Sequence, residues 1–99
     1  MIVHVDTDSS ITLEEPDTFT AFSIRAPGLD VEQIVAVLGD DGKAGEGDHV
    51  WIGISRLHAL GGLYGGPDWR AGCDKMIGYA ASQGWVDEAH QRVRAHLER

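Results

Sequence analysis

Five histidines, one cysteine and three tryptophans hold most of the chemistry open to this chain of 99 residues. An imidazole titrates near neutrality, so a histidine beside a carboxylate can take up and return a proton. His90 and His58 are the candidate general bases for such a step. His90 falls between Val86 and Val93 on an apolar helical spacing, which equally fits a core imidazole bonded to a neighbour. His58 stands next to a glycine-rich stretch, and His4 alternates with Val3 and Val5. Asp6, Asp68 and Asp74 are the acids that could partner them. The reaction would need no cofactor: isomerisation, elimination or hydrolysis of a small apolar molecule. The segment Gly61-Gly62-Leu63-Tyr64-Gly65-Gly66 would serve as its lid.

Stronger signatures are missing. A helical metal pair sits at i, i+4, whereas His90 and His96 are six apart, roughly 120° around a helix from one another. A lone cysteine rules out the common structural zinc arrangements. No metal and no cofactor are therefore expected. Ser55 follows Gly53, but Leu57 stands where a nucleophile elbow needs its second glycine, so Ser55 reads as a helix cap. The glycines of 42–47 lack the order of a phosphate loop, and their acids repel anions. Cys73 falls on an apolar helical stripe and reads as a packed, inert thiol.

The tryptophans suggest binding instead. In a strand, Trp51 points opposite to Val50 and Ile52, toward a second chain or a ligand. Trp51, Leu63, Tyr64 and Trp69 are the ligand-binding candidates.

Short elements must position these groups. Ile2–Asp6 and Ile11–Glu14 read as a hairpin across a Thr-Asp-Ser-Ser turn. Thr18–Arg25, rich in Thr, Phe and Ile, reads as a third strand. Asp30 and Gln33 form a capping box before Val31, Ile34, Val35 and Leu38, one apolar helical face that ends at Gly39. Asp40–Asp48 reads as a loop, His49–Ser55 as a strand, and Arg56–Leu60 as a short helix. A helix with the stripe Trp69, Cys73, Met76, Ile77 and Ala80 runs to about Gln83, with Gly84 and Trp85 closing it. A last helix is expected over Asp87–Glu98, with Glu88 four before Arg92 as a surface ion pair.

The order β-β-β-α-β-α-α-α predicts one α+β domain over residues 1–99. It has about four mostly antiparallel strands, with helices packed on one face. Such a sheet leaves its other face bare, which a second copy commonly covers, so a homodimer is expected.

The charge is lopsided. Sixteen acids oppose eight Lys and Arg, a net of −8. Residues 1–48 hold 11 acids and 2 bases, and residues 49–99 hold 5 acids and 6 bases. Neither half offers the clustered cations that nucleic acid or anionic lipid requires. No apolar run approaches a membrane span, and the start of the chain lacks the pattern of a signal peptide. One cysteine fits a reducing cytoplasm. The expected function is a small acidic binding protein, dimeric, taking a protein partner or a small apolar ligand. The histidine-based enzyme is the alternative. Another is an acidic inhibitor or immunity-type protein that plugs a basic enzyme, steered by charge.

Overall fold

The ends of the helices follow local chemistry. In the computed structural model, which describes residues 1–98, helix α1 spans Val31–Leu38. The Asp30 carboxylate accepts from the Gln33 N–H at 2.8 Å, and the Gln33 side chain accepts from the Asp30 N–H at 2.9 Å. Such a cap is worth about 1 kcal/mol. Gly39, with φ of 62°, ends the helix in the left-handed region. Helix α2 covers Ile54–Gly61 and takes Gly53, not Ser55, as its N-cap. Helix α3 covers Pro67–Ser82, with Pro67 in its first turn, where a missing N–H costs nothing. It closes as expected: Gly84 donates to the Ala81 carbonyl at 3.1 Å and Trp85 to that of Ala80 at 2.9 Å. That pair of bonds is a Schellman motif, and it lays the Trp85 ring edge-on against Tyr79 at 6.1 Å.

The strands are β1 (Ile2–Val5), β2 (Ile11–Glu14), β3 (Ser23–Arg25), β4 (Gly42–Ala44), β5 (His49–Gly53), β6 (Val86–Asp87) and β7 (Arg92–Glu98). They form one mixed sheet in the order β2-β1-β3-β7-β5-β4, with β6 also on β7. Strand β3 runs parallel to both β1 and β7, and the other pairings are antiparallel. The expectation of about four mostly antiparallel strands is met in part: four of the six pairings are antiparallel, but the strands number seven among the described residues and two pairings are parallel.

One face of the sheet is apolar. Val3, Val5, Leu13, Ile24, Val50, Ile52, Val93, Ala95 and Leu97 are buried there. They share a single core with Ile34 and Leu38 of α1, Leu57 and Leu60 of α2, and Trp69, Cys73 and Ala80 of α3. The opposite face carries His4, Arg25, His49, Trp51, Arg94 and His96, none of them buried. Helices on one face and an open second face match the expected α+β arrangement.

Three expectations fail, each for a physical reason. The last helix is instead the hairpin β6–β7. Val86, His90, Val93 and Leu97 match a helical spacing, but Arg92–Glu98 also alternates strictly, with Val93, Ala95 and Leu97 buried between polar residues. Period two prevails because it places three apolar side chains in the core at the centre of the sheet. Gln91, at φ of 53°, makes the turn. Arg92 bonds to the Asp40 carbonyl at 3.2 Å, so the helical pair with Glu88 does not form.

Second, the loop 40–48 contains strand β4, paired with β5 through Lys43↔Trp51. Third, only residues 23–25 of the expected 18–25 strand join the sheet. The amino group of Met1 donates to the carbonyls of Thr18 at 2.7 Å and Ala21 at 2.8 Å. That tether carries the chain away from β7 before Ser23.

Candidate functional site

The departure of residues 18–22 leaves a notch in the sheet. One edge of β7 is shared by two short strands: β3 pairs through Ser23↔His96 and β6 through Val86↔Val93. Between those registers only the Trp85 carbonyl bonds to β7, accepting from the Arg94 N–H at 2.8 Å. A cavity of about 120 Å³ opens at this place, lined by Phe19, Phe22, Met76, Tyr79, Trp85 and Arg94, among others. It continues along α3 as a shallow trough of about 410 Å³ between Phe19, Lys75 and Tyr79. On the open face of the sheet it meets a hollow of about 220 Å³ lined by Phe22, His49, Trp85, Arg94 and His96. Phe22, Trp85 and Arg94 border both the inner cavity and the outer hollow.

The walls are held in place by specific contacts. A Cβ on Gly72 would stand 2.4 Å from the Phe19 ring, so glycine there lets Phe19 lie on α3. The Schellman turn fixes Trp85 on the other side. Tyr79, 62 % exposed, leans on Trp85 and forms the rim. The Arg94 guanidinium lies over the Trp85 ring, 5.8 Å from its centroid. That stacking is worth about 0.5–1 kcal/mol at such a site.

The partnering of Arg94 stands out. Arg25 pairs with Glu14 and Glu98, Arg56 with Asp41, and Arg70 with Asp74. Arg92 donates to the Asp40 carbonyl. Among the described residues, the Arg94 guanidinium alone of the arginines has no oxygen partner.

The sequence-derived candidates fall outside the cleft, though Trp51 lines a neighbouring hollow that shares Arg94. Trp51 lies half-exposed on the open face and lines a further hollow with Lys43, Glu46 and Arg94. Trp69 is 6 % exposed, and its indole N–H donates to the Pro16 carbonyl at 2.9 Å, so it is a core residue. Leu63 and Tyr64 are 81 % and 51 % exposed on the turn after α2 and border none of these hollows. His58 meets Asp74 at 3.0 Å between α2 and α3. His90 is exposed in the β6–β7 turn, its Nδ1 2.9 Å from Asp87. Each has the acid a general base wants, yet neither borders the cleft. The bond with His90 holds the Asp87 carboxyl below its ordinary range. Burial pushes the Cys73 thiol up to about 11, the opposite of an activated nucleophile.

The residues that build the cleft were not singled out by the sequence. Sequence patterning puts Phe19 and Phe22 within a regular strand over 18–25 and Arg94 within a helix over 87–98. The alternation Arg92-Val93-Arg94-Ala95-His96-Leu97 was the signal that could have placed Arg94 on an open sheet face. No group of three or more His, Cys, Asp and Glu side chains suited to a metal occurs among the described residues. Nor is any described helix long and apolar enough to cross a membrane. Comparison with protein-family models, with curated proteins and with solved structures found no match.

Proposed function

We propose that this chain is a small acidic binding module whose ligand occupies the cleft beside Trp85. The observation that carries this reading is the notch: an apolar cavity, walled by Phe19, Phe22, Met76, Tyr79 and Trp85, that opens to both sides of an interrupted sheet edge. Binding sites are concave and mostly apolar, with a few convergent polar groups, and this is the part of the surface that fits. The buried thiol of Cys73 suits a reducing, cytoplasmic setting. The enzyme alternative required a histidine and an acid converging on a cavity. The His58–Asp74 and His90–Asp87 pairs border neither the cleft nor the hollows beside it, which favours the binding reading.

Titrating ¹⁵N-labelled protein with small aromatic and aliphatic fragments tests the reading. Fragments should shift the amides of residues 19–22, 79, 85 and 94, and Ala21→Trp, which fills the cavity, should abolish those shifts. Fragments gathering around His58, or on the Leu63–Tyr64 turn, would overturn it.

Self-association is a second reading, favoured by Trp51. Its ring is half-exposed on the open face beside Lys43 and Arg94, while Glu14 and Glu98 lie toward the other side of that face. Glu14 and Glu98 share Arg25 there, which leaves that side net negative, and a two-fold pair could set it against Lys43 and Arg94 of the second copy. Light scattering at tens of micromolar should then give a dimer mass that Trp51→Glu halves. A wild-type monomer counts against it. The acidic-inhibitor alternative gains nothing from this face, because its β7–β5–β4 half displays Arg92, Arg94 and Lys43.

A further inference from the structure

We infer that the cleft takes a small molecule with one carboxylate and a ring-sized apolar body, the carboxylate seated on Arg94. This rests on the cleft being a binding site and adds the class of its ligand. Three observations lead to it.

The first is the unpaired cation. In a chain with twice as many acids as bases, Arg25, Arg56 and Arg70 each find a carboxylate, and Arg92 finds a carbonyl oxygen. Arg94 does not. Its guanidinium lies over the Trp85 ring, a contact that uses none of its five N–H donors. Such a fork suits the two oxygens of a carboxylate. Glu46 is the one acid lining any of the three hollows that touch Arg94, and it makes no ion pair with it.

The second is the shape of the passage. The outer hollow is rimmed by Arg94, His49 and His96 and the inner cavity mostly by aromatic and aliphatic side chains. The His49 Nδ1 is occupied by the Glu46 carbonyl at 2.9 Å, and its ring meets His96 edge-on at 5.3 Å. A ligand lying through the notch would place its charged end among polar groups and its body among Phe22, Met76 and Trp85.

The third is size. Apolar cavities of about 150 Å³ admit benzene. The inner cavity is somewhat smaller, about 120 Å³, but opens into the trough beside Phe19 and Tyr79. A single ring or a short branched chain matches the inner cavity, with the trough to take what overhangs it.

The probe is phenylacetate, compared with phenylacetamide and with acetate, by ¹⁵N titration of the wild type and of Arg94→Gln. Phenylacetate should shift residues 19–22, 85 and 94 and bind at least about 10-fold more tightly than the amide. Arg94→Gln should erase that preference by weakening phenylacetate far more than the amide, and Arg94→Lys should restore part of it. Equal binding of acid and amide overturns the assignment of the anion but leaves the cleft as a binding site. Acetate binding as well as phenylacetate overturns the need for an apolar body. No shift at residues 19–22 or 85 with any probe overturns the ligand assignment and the proposed function together.

Discussion

Two tryptophans flank helix α3, one before its second turn and one just past its end, and they do opposite things. Trp69 is sealed. Its indole N–H donates to Pro16, and its ring fills the space that glycine leaves at position 61, where a Cβ would stand 1.8 Å away. Every group it offers is satisfied inside the chain. Trp85 is half-exposed: it packs partly against the core, and its outer side meets the rim residue Tyr79 and an arginine with no oxygen partner. The same residue type closes the fold at one place and leaves it unfinished at the other. What separates the core ring from the one in the candidate site is whether the partners of the ring are themselves satisfied.

The contrast breaks first if the Trp69 seam can yield. Gly61→Val forces two methyl groups and a Cβ into the indole, and overpacking against a buried ring should cost about 3 kcal/mol or more in urea denaturation. Gly78→Ala is the control. It lies within the same α3, a Cβ there meets nothing within 4 Å, and it should gain about 0.5–1 kcal/mol. Gly61→Val within 1 kcal/mol of the wild type would mean that the seam is no tighter than the cleft.

Cys73, one helical turn after Trp69, reports on the same seam. With its thiol pushed from 9.0 to about 11 by burial, the thiolate fraction at pH 8 falls by about 100-fold. Iodoacetamide should therefore label native protein at least about 100 times more slowly than protein in urea. Similar rates in the two conditions would show that the stripe Trp69–Cys73–Ala80 opens readily.

A matched pair of substitutions sharpens the comparison. Trp69→Phe strands the Pro16 carbonyl and leaves a cavity, and should cost about 2–3 kcal/mol. Trp85→Phe keeps the Tyr79 contact and loses only part of the arginine stacking, and should cost less than about 1 kcal/mol. Its larger effect should be on ligand binding. Equal losses of stability would make Trp85 a core residue and remove the distinction.

What the sequence disclosed follows the same division. Elements defined by local chemistry were legible: the Asp30–Gln33 cap, the Gly39 stop, the Gly84–Trp85 closure, the β1–β2 hairpin and the buried stripe of α3. Elements defined by distant partners were not. Strand β7 can be read at period two or at a helical spacing, and its pairing with β3 and β5 decides between them. Thr18–Phe22 has strand-forming residues, but its path is set by the Met1 amino group and the bare backbone of Gly72. The cleft lies where those two long-range choices meet, which is why Trp51 was placed on the open face while Trp85, Arg94, Phe19 and Phe22 were missed.

The smallest effect belongs to the hairpin that carries Arg94. Asp87 accepts from the His90 ring at 2.9 Å and from the His90 N–H at 3.3 Å, and both bonds favour the ionised carboxyl. Its value in the fold therefore lies below the ordinary 3.8. A depressed carboxylate contributes stability in full above its unfolded value, and loses it as pH falls through the lower, folded one. Asp87→Asn should lower the thermal midpoint slightly at neutral pH, and its curve should converge with that of the wild type below about pH 4. The carboxylate is solvent-screened, so the shift is small. Because the turn at 88–91 stands clear of the cleft, the same variant should leave phenylacetate binding within about twofold. A gap that widens in acid would reverse the sign assigned to the pair. A binding loss as large as that of Arg94→Gln would move the site from Trp85 to the turn, and with it the boundary between the closed and open ends of α3.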